Sequence, residues 1–115
     1  MTLKIYGIKN CDTMKKAFAW LEANGLSYEL IDYKKAGVAA AHLSDWCARA
    51  GWETLLNRRS LTWKKLSDTE RADVDEAKAR ALMTQYPSLI KRPLLDTGKT
   101  LLVGFDPEIY ANTLK

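Results

Sequence analysis

Leu3-Lys4-Ile5-Tyr6 alternates apolar and polar side chains, and Met14, Ala17, Phe18 and Leu21 then recur at helical spacing. The first period belongs to a strand and the second to an amphipathic helix. Cys11 falls where one gives way to the other, and the pattern predicts it on the first turn of the helix. Gly25 fits the helix end, because glycine accepts the left-handed conformation that follows a C-terminus. Tyr28-Glu29-Leu30-Ile31-Asp32-Tyr33, rich in aromatic and branched residues, reads as a second strand. Strand, helix and strand in that order imply a right-handed parallel βαβ unit.

Downstream, Lys34 to Val38 reads as a turn pivoting on Gly37. A helix is predicted from about Ala39 to Ala50, with Leu43, Trp46, Cys47 and Ala50 on one face. Trp52 to Leu66 is less regular and suits short helical turns. Ser67-Asp68-Thr69-Glu70 has the form of a capping box, predicted to open a helix that reaches Gln85 and stops before Pro87. Within that helix Glu76 and Arg80 are spaced for an i, i+4 ion pair. Leu94-Leu95-Asp96, Thr97-Gly98-Lys99 and Thr100-Leu101-Leu102-Val103 read as a hairpin with a glycine turn, and Asp106 to Leu114 as a closing helix. The layout is βαβ, a helical insert, then ββα. It is an α/β fold with a small mixed sheet in the thioredoxin-like arrangement, expected as a single domain over residues 1–115 with the insertion at about 39–86.

The chain has 115 residues, of which 47% are hydrophobic and 28% charged, values ordinary for one globular domain with a real core. Its formal net charge of +4 is spread in pairs such as Lys15-Lys16, Lys34-Lys35, Arg58-Arg59 and Lys64-Lys65. A nucleic-acid binder would show a denser basic stripe, so none is expected as partner, whereas an anionic small molecule or acidic surface fits. No apolar run approaches a membrane span, and no signal peptide is read at the start. Two cysteines without an export signal point to free thiols in a reducing cytoplasm. Cys11, Cys47 and the lone His42 match no zinc spacing, so no metal is expected.

Cys11 is the residue that draws chemistry. Open backbone N–H groups and the helix dipole favour an anion at a helix start, and the thiolate is the reactive form of cysteine. Lys15, one turn on, adds a cation on the same face. Asn10 and Thr13 can hydrogen-bond the turn or the sulfur, and Lys9 flanks it. Cys47, between Trp46 and Ala48 on an apolar face, reads instead as a core cysteine. Met14 stands where a Cys-x-x-Cys enzyme would place its second thiol, so any covalent intermediate on Cys11 needs another thiol to resolve it. Arg58, Arg59 and Arg92 offer planar donors for carboxylates or oxyanions. Pro93, after Arg92 at a strand start, is a place where a cis bond would shape a groove.

Tyr6-Gly7-Ile8-Lys9-Asn10-Cys11-Asp12-Thr13-Met14-Lys15-Lys16-Ala17 resembles the opening signature of the ArsC/Spx family, the arsenate reductases and their relatives. Leu55-Leu56-Asn57-Arg58-Arg59-Ser60 with Trp63-Lys64-Lys65-Leu66 resembles its middle motif, Pro87-Ser88-Leu89-Ile90-Lys91-Arg92-Pro93-Leu94 its third block, and Val103-Gly104-Phe105 its closing block. The order and spacing agree over nearly the whole chain, nearest the YffB-like subgroup. The resemblance implies a thioredoxin-like fold and a catalytic cysteine at Cys11. By position it makes Lys15 the basic neighbour of the nucleophile, Arg92 one anion-binding arginine, and Arg59 or Arg58 another. Two departures stand out. The family's third arginine is missing, with Gly104-Phe105 in its place, and the usual Asn-Pro pair before the arsenate-reductase cysteine is absent.

Together these readings predict a cytoplasmic thiol oxidoreductase with a single nucleophilic cysteine, acting on disulfides or glutathione mixed disulfides. Glutathione is the expected co-substrate, with glutaredoxin a candidate partner, no tightly bound cofactor and a monomeric state. One alternative is a glutathione- and glutaredoxin-coupled arsenate reductase with the same nucleophile. The other is an Spx-like regulator that binds RNA polymerase, against which stands the lack of a Cys-x-x-Cys switch.

Overall fold

The computed structural model describes residues 3–8, 11–35 and 37–115. The chain separates into two units: residues up to Asp32 together with Arg92–Lys115, and Tyr33–Lys91.

The first unit holds the whole sheet. Strand β1 (Leu3–Gly7) runs into helix α1 (Asp12–Ala23), which returns to β2 (Tyr28–Asp32); after the second unit come β3 (Leu94–Asp96), β4 (Leu101–Val103) and the last helix. The strand order is β2-β1-β3-β4. β2 lies parallel to β1, with Ile5 opposite Leu30, whereas β3 runs antiparallel to β1 and β4 antiparallel to β3. This is the expected mixed, thioredoxin-like sheet. Strand β1 is buried at alternate positions and then throughout its C-terminal end, as a central strand should be. Leu3 and Ile5 pack with Met14, Ala17 and Leu21 of α1, Leu95 of β3 and Tyr110. The periodic residues of α1 therefore face the sheet, with Phe18 at the margin of this core. Gly25 has φ 69° and ends α1 in the left-handed region.

Thr97 shapes the β3–β4 turn. Its amide donates to the Thr100 carbonyl at 3.0 Å, its Oγ1 accepts from the Thr100 amide at 3.0 Å, and Gly98 takes φ 93°. The C-terminal helix (Pro107–Leu114) starts from Asp106, whose carboxylate accepts from the Glu108 and Ile109 amides. Phe105 meets Tyr110 edge-on at 5.0 Å between ring centroids. The closing block thus packs the core around Tyr110, whose phenol is pushed up by burial.

The second unit is helical. Helix α2 (Val38–Ala50), α3 (Trp52–Leu55), α4 (Leu61–Lys65), α5 (Asp68–Arg71) and α6 (Glu76–Gln85) precede a 3-10 turn at Pro87–Leu89, and the C-terminal helix named above becomes α7. α6 packs on α2, α3 and the 3-10 turn. Leu43, Trp46, Leu55, Ala79, Met83, Leu89 and Ile90 are buried, and the Tyr33 hydroxyl donates to the Ile90 carbonyl at 2.8 Å.

One predicted helix is two. The Ser67 capping box forms, with the Glu70 amide donating to Ser67 Oγ and the Ser67 amide donating to Glu70 Oε1, but α5 ends at Arg71 rather than running to Gln85. Asp73 adopts φ 50°, which a continuous helix forbids. Asp75 then caps α6 by accepting from the Lys78 amide at 2.8 Å. Lys78 Nζ also donates to the Thr69 carbonyl at 2.7 Å and to that of Ala72, closing the end of α5. Two caps, Ser67 and Asp75, thus start two helices where the sequence reading has one.

Candidate functional site

Sheet register carries the site. Tyr6, near the end of β1, pairs with Leu94 at the start of β3. Arg92, just ahead of Leu94, is therefore brought beside Gly7 at the end of β1 and beside Cys11 at the start of α1. The Arg92–Pro93 bond is cis, the point that the sequence left open, and the Pro93 carbonyl accepts from the Gly104 amide at 2.8 Å.

Cys11 lies one step earlier than expected. It is the N-cap of α1, with extended backbone (φ −126°, ψ 133°), and its carbonyl accepts the first helical bond from the Lys15 amide at 2.9 Å. An extended cap residue directs its side chain toward the open amides of the first turn. Arg92 Nε donates to Cys11 Sγ at 3.4 Å across 81 residues of chain. Both side chains are half-buried. Desolvation alone would raise the thiol. It is overcome by the Met14 amide, the hydrogen bond from Arg92, the Thr13 amide and the Arg92 charge, and Cys11 ends below the ordinary thiol value. Sγ makes no capping bond of ordinary geometry, so the two amides act as oriented dipoles rather than as close donors.

Gly7 makes room for this arrangement. A Cβ built there would fall 2.5 Å from Met14 Sδ and Cε and 3.6 Å from Arg92 Cβ. Met14, fully buried, therefore packs under the strand end while its amide serves the sulfur.

The structure thus brings together Cys11, Arg92 and Thr13, the last through its backbone amide, and Pro93 follows Arg92 across the cis bond. Lys15 is exposed on the next turn, and the groups that lower the thiol are the Met14 and Thr13 amides and Arg92. Asn10 and Lys9 lie outside the described residues. The part played by the Met14 amide was missed by sequence reasoning, although any residue three past an N-cap offers such an amide. Cys47 behaves oppositely to Cys11. It is buried on α2, and desolvation pushes its thiol up, with Glu76 adding to the rise and Arg80 opposing it.

Arg58 and Arg59 belong to the second unit. There a short antiparallel tie joins Leu55–Asn57 to Leu89–Lys91: Leu56 bridges Ile90, the Asn57 amide donates to the Leu89 carbonyl at 2.7 Å, and the Lys91 amide to the Leu55 carbonyl at 2.8 Å. A cavity of about 500 Å³ opens beside it, lined by Glu53, Leu56, Asn57, Arg58, Arg59 and Lys91. The Arg58 guanidinium stands over the Trp63 ring, 5.7 Å from its centroid. Arg59 is held only by its backbone, its amide donating to Asn57 Oδ1 at 3.0 Å. The structure thereby separates the two arginines that the sequence left interchangeable. Arg58 is engaged, and Arg59 has its guanidinium free among the described residues.

The ArsC family model matches residues 6–113. The chain belongs to the ArsC family. Among solved structures of ArsC-like proteins, it is similar to a YffB protein, with 50% identity, a TM-score of 0.92 and coverage of 98% of this chain and 99% of that one. An arsenate reductase (ArsC) related protein from Brucella melitensis is 49% identical, with a TM-score of 0.79, over 100% of this chain and 96% of the other. An uncharacterized protein from Haemophilus influenzae is 36% identical over 94% of this chain and 95% of its own length. The global transcriptional regulator Spx 1 of Lactococcus lactis is 24% identical over 92% of this chain and 84% of its own. The ArsC family thus gives this chain relatives named for arsenate reductase and relatives named as transcriptional regulators. Among the described residues, no helix is long and apolar enough to cross a membrane.

Proposed function

We propose that this ArsC-family protein is a glutathione-dependent thiol oxidoreductase working through Cys11 alone. The observation that carries the reading is Arg92 Nε at 3.4 Å from a half-buried Cys11 Sγ whose pKa is lowered. In the first step the Cys11 thiolate attacks the glutathione sulfur of a mixed disulfide. The old S–S bond breaks, the departing thiolate takes a proton from solvent, and Cys11 is left joined to glutathione. A second glutathione, as thiolate, attacks that sulfur. Oxidised glutathione leaves, and Cys11 returns as a thiolate beside Arg92. The net exchange consumes one glutathione thiol per mixed disulfide, releases the substrate thiol and oxidised glutathione, and leaves the protein unchanged. Met14 in place of a second cysteine makes the external thiol necessary. Arg92 and the helix amides favour Cys11 as leaving group in the second step, as a low thiol pKa does.

In the same reading, Arg92 and one of the pair Arg58 and Arg59 bind a carboxylate of glutathione, and Arg59 is the one of the pair whose guanidinium is not engaged with Trp63. The reaction runs in the cytoplasm, on a monomer, with glutaredoxin able to accept the glutathione from Cys11 and with neither nucleic acid nor tightly bound cofactor. The test is incubation of the protein with oxidised glutathione, followed by peptide mass analysis. A 1:1 glutathione adduct on Cys11, removed by added glutathione, is expected. Its absence, with Cys11 free, would refute the reading.

A second reading, arsenate reduction, draws on the same pair. A guanidinium beside the nucleophile would hold an oxyanion as readily as a thiolate, and the Brucella relative bears the arsenate reductase name. Against it, Gly104 and Phe105 occupy the place of the third family arginine and serve the core. Arsenate-dependent NADPH oxidation with glutathione and glutaredoxin, lost on Arg92→Ala, would favour this reading. The Spx-like regulator is disfavoured by Met14, which is buried and cannot form a redox switch with Cys11.

A further inference from the structure

The cavity of the second unit holds charges of both signs that do not neutralise each other. Glu53, Arg59 and Lys91 line it, yet among the described residues their charged ends make neither an ion pair nor a hydrogen bond. Arg58, also lining it, is engaged with Trp63. The wall is fixed by backbone: the Leu55–Asn57 and Leu89–Lys91 tie sets Lys91 beside the Asn57–Arg59 turn, and α3 presents Glu53. Asn57 spends its side-chain oxygen on the Arg59 amide, so its NH₂ group is left to donate. A polyanion would meet Glu53 as a repulsive group. A simple cation would meet Arg59 and Lys91. The complementary ligand carries a carboxylate for Arg59, Lys91 and Asn57 and an ammonium for Glu53, close together on one small group.

We infer that this cavity binds the zwitterionic α-amino-acid head group of a small ligand, with Arg59 and Lys91 on its carboxylate and Glu53 on its ammonium. Two sources carry that chemistry: the γ-glutamyl end of glutathione and a free amino acid such as glutamate. Assignment to glutathione rests on the reading proposed above. Recognition of the head group does not.

The experiment uses the full chain with Cys11→Ser, so that no thiol exchange contributes, and S-methylglutathione, which cannot form a disulfide. N-acetyl-S-methylglutathione, which lacks the ammonium, and free glutamate are the comparison probes. Amide NMR shifts locate binding and calorimetry measures it. The expected result is S-methylglutathione perturbing Glu53, Asn57, Arg59 and Lys91. Acetylation is expected to weaken binding about three- to tenfold, the net size of one solvent-exposed hydrogen-bonded contact. Glu53→Gln should weaken S-methylglutathione by a similar factor and leave the acetylated probe unchanged, while Arg59→Gln weakens both. Glutamate binding at these residues without S-methylglutathione binding would support the head-group site and assign it to free amino acids. Equal affinity for the two glutathione probes, an equal effect of Glu53→Gln on both, or no shifts at these residues with any probe would overturn the proposal. Because Cys11 is absent, a failure here is separable from failure to form the Cys11 adduct in the unmodified protein.

Discussion

Cys11 and Cys47 are both borne on helices, yet their thiols move in opposite directions. Cys11 caps α1, where free amides and Arg92 converge on the sulfur and outweigh its desolvation. Cys47 sits within α2, where the amides are already bonded and burial dominates. The direction in which each thiol moves is thus set by where on a helix the sulfur stands and by which cation the sheet brings to it. Residue type alone says nothing.

The hardest test of that contrast is deletion of each sulfur. Cys11→Ser should abolish glutathione adduct formation and turnover by at least about a thousandfold, as loss of a nucleophile does, while Cys47→Ser leaves both within about twofold, since a buried high-pKa thiol is inert. Intact mass after oxidised glutathione treatment and a coupled NADPH assay read the two outcomes.

Next in size is Arg92→Ala. Loss of its hydrogen bond and charge should raise the Cys11 pKa and slow iodoacetamide alkylation at neutral pH, because less of the thiol is ionised. The two thiols should also leave opposite marks on stability. Cys11 loses its proton in the folded state first, so its contribution is complete above the unfolded thiol pKa and disappears as pH falls through its lower folded value. Cys47 loses its proton in the unfolded state first, so stability drains as pH rises past the ordinary thiol value. Urea unfolding against pH should show a rising slope removed by Cys11→Ser and a falling one removed by Cys47→Ser.

Gly7→Ala probes the packing beneath Cys11. The added methyl meets Met14 at 2.5 Å, and overpacking of this kind costs about 1–3 kcal/mol. Chemical denaturation should report that loss, with slower Cys11 alkylation as Met14 shifts. Ser67→Ala is the smallest change and serves as a control within the Cys47 unit. Losing the α5 cap should cost about 1 kcal/mol or less and alter neither thiol's alkylation profile.

Much of this was legible before any coordinates. The alternation of Leu3 to Tyr6 and the helical period through Leu21 placed Cys11 at a strand-to-helix junction, and the flanking Trp46 marked Cys47 as interior. Two things were hidden for physical reasons. The break between α5 and α6 comes with Asp73 at φ 50°, a second cap at Asp75 and Lys78 reaching back to the Thr69 and Ala72 carbonyls, none of them visible to periodicity. Arg92 was assigned to anions in general because no local pattern reports a residue 81 positions away. Only the antiparallel register of β1 with β3 turns that separation into contact. Likewise, Arg58 and Arg59 look equivalent as a dipeptide until Trp63 engages one of them.

The most direct measurement is the pH dependence of Cys11 alkylation, made in a Cys47→Ser background with and without Arg92→Ala. The half-point should lie below that of a free cysteine and move upward when Arg92 is removed. A half-point at or above the free-cysteine value, or one that ignores the loss of Arg92, would contradict the account.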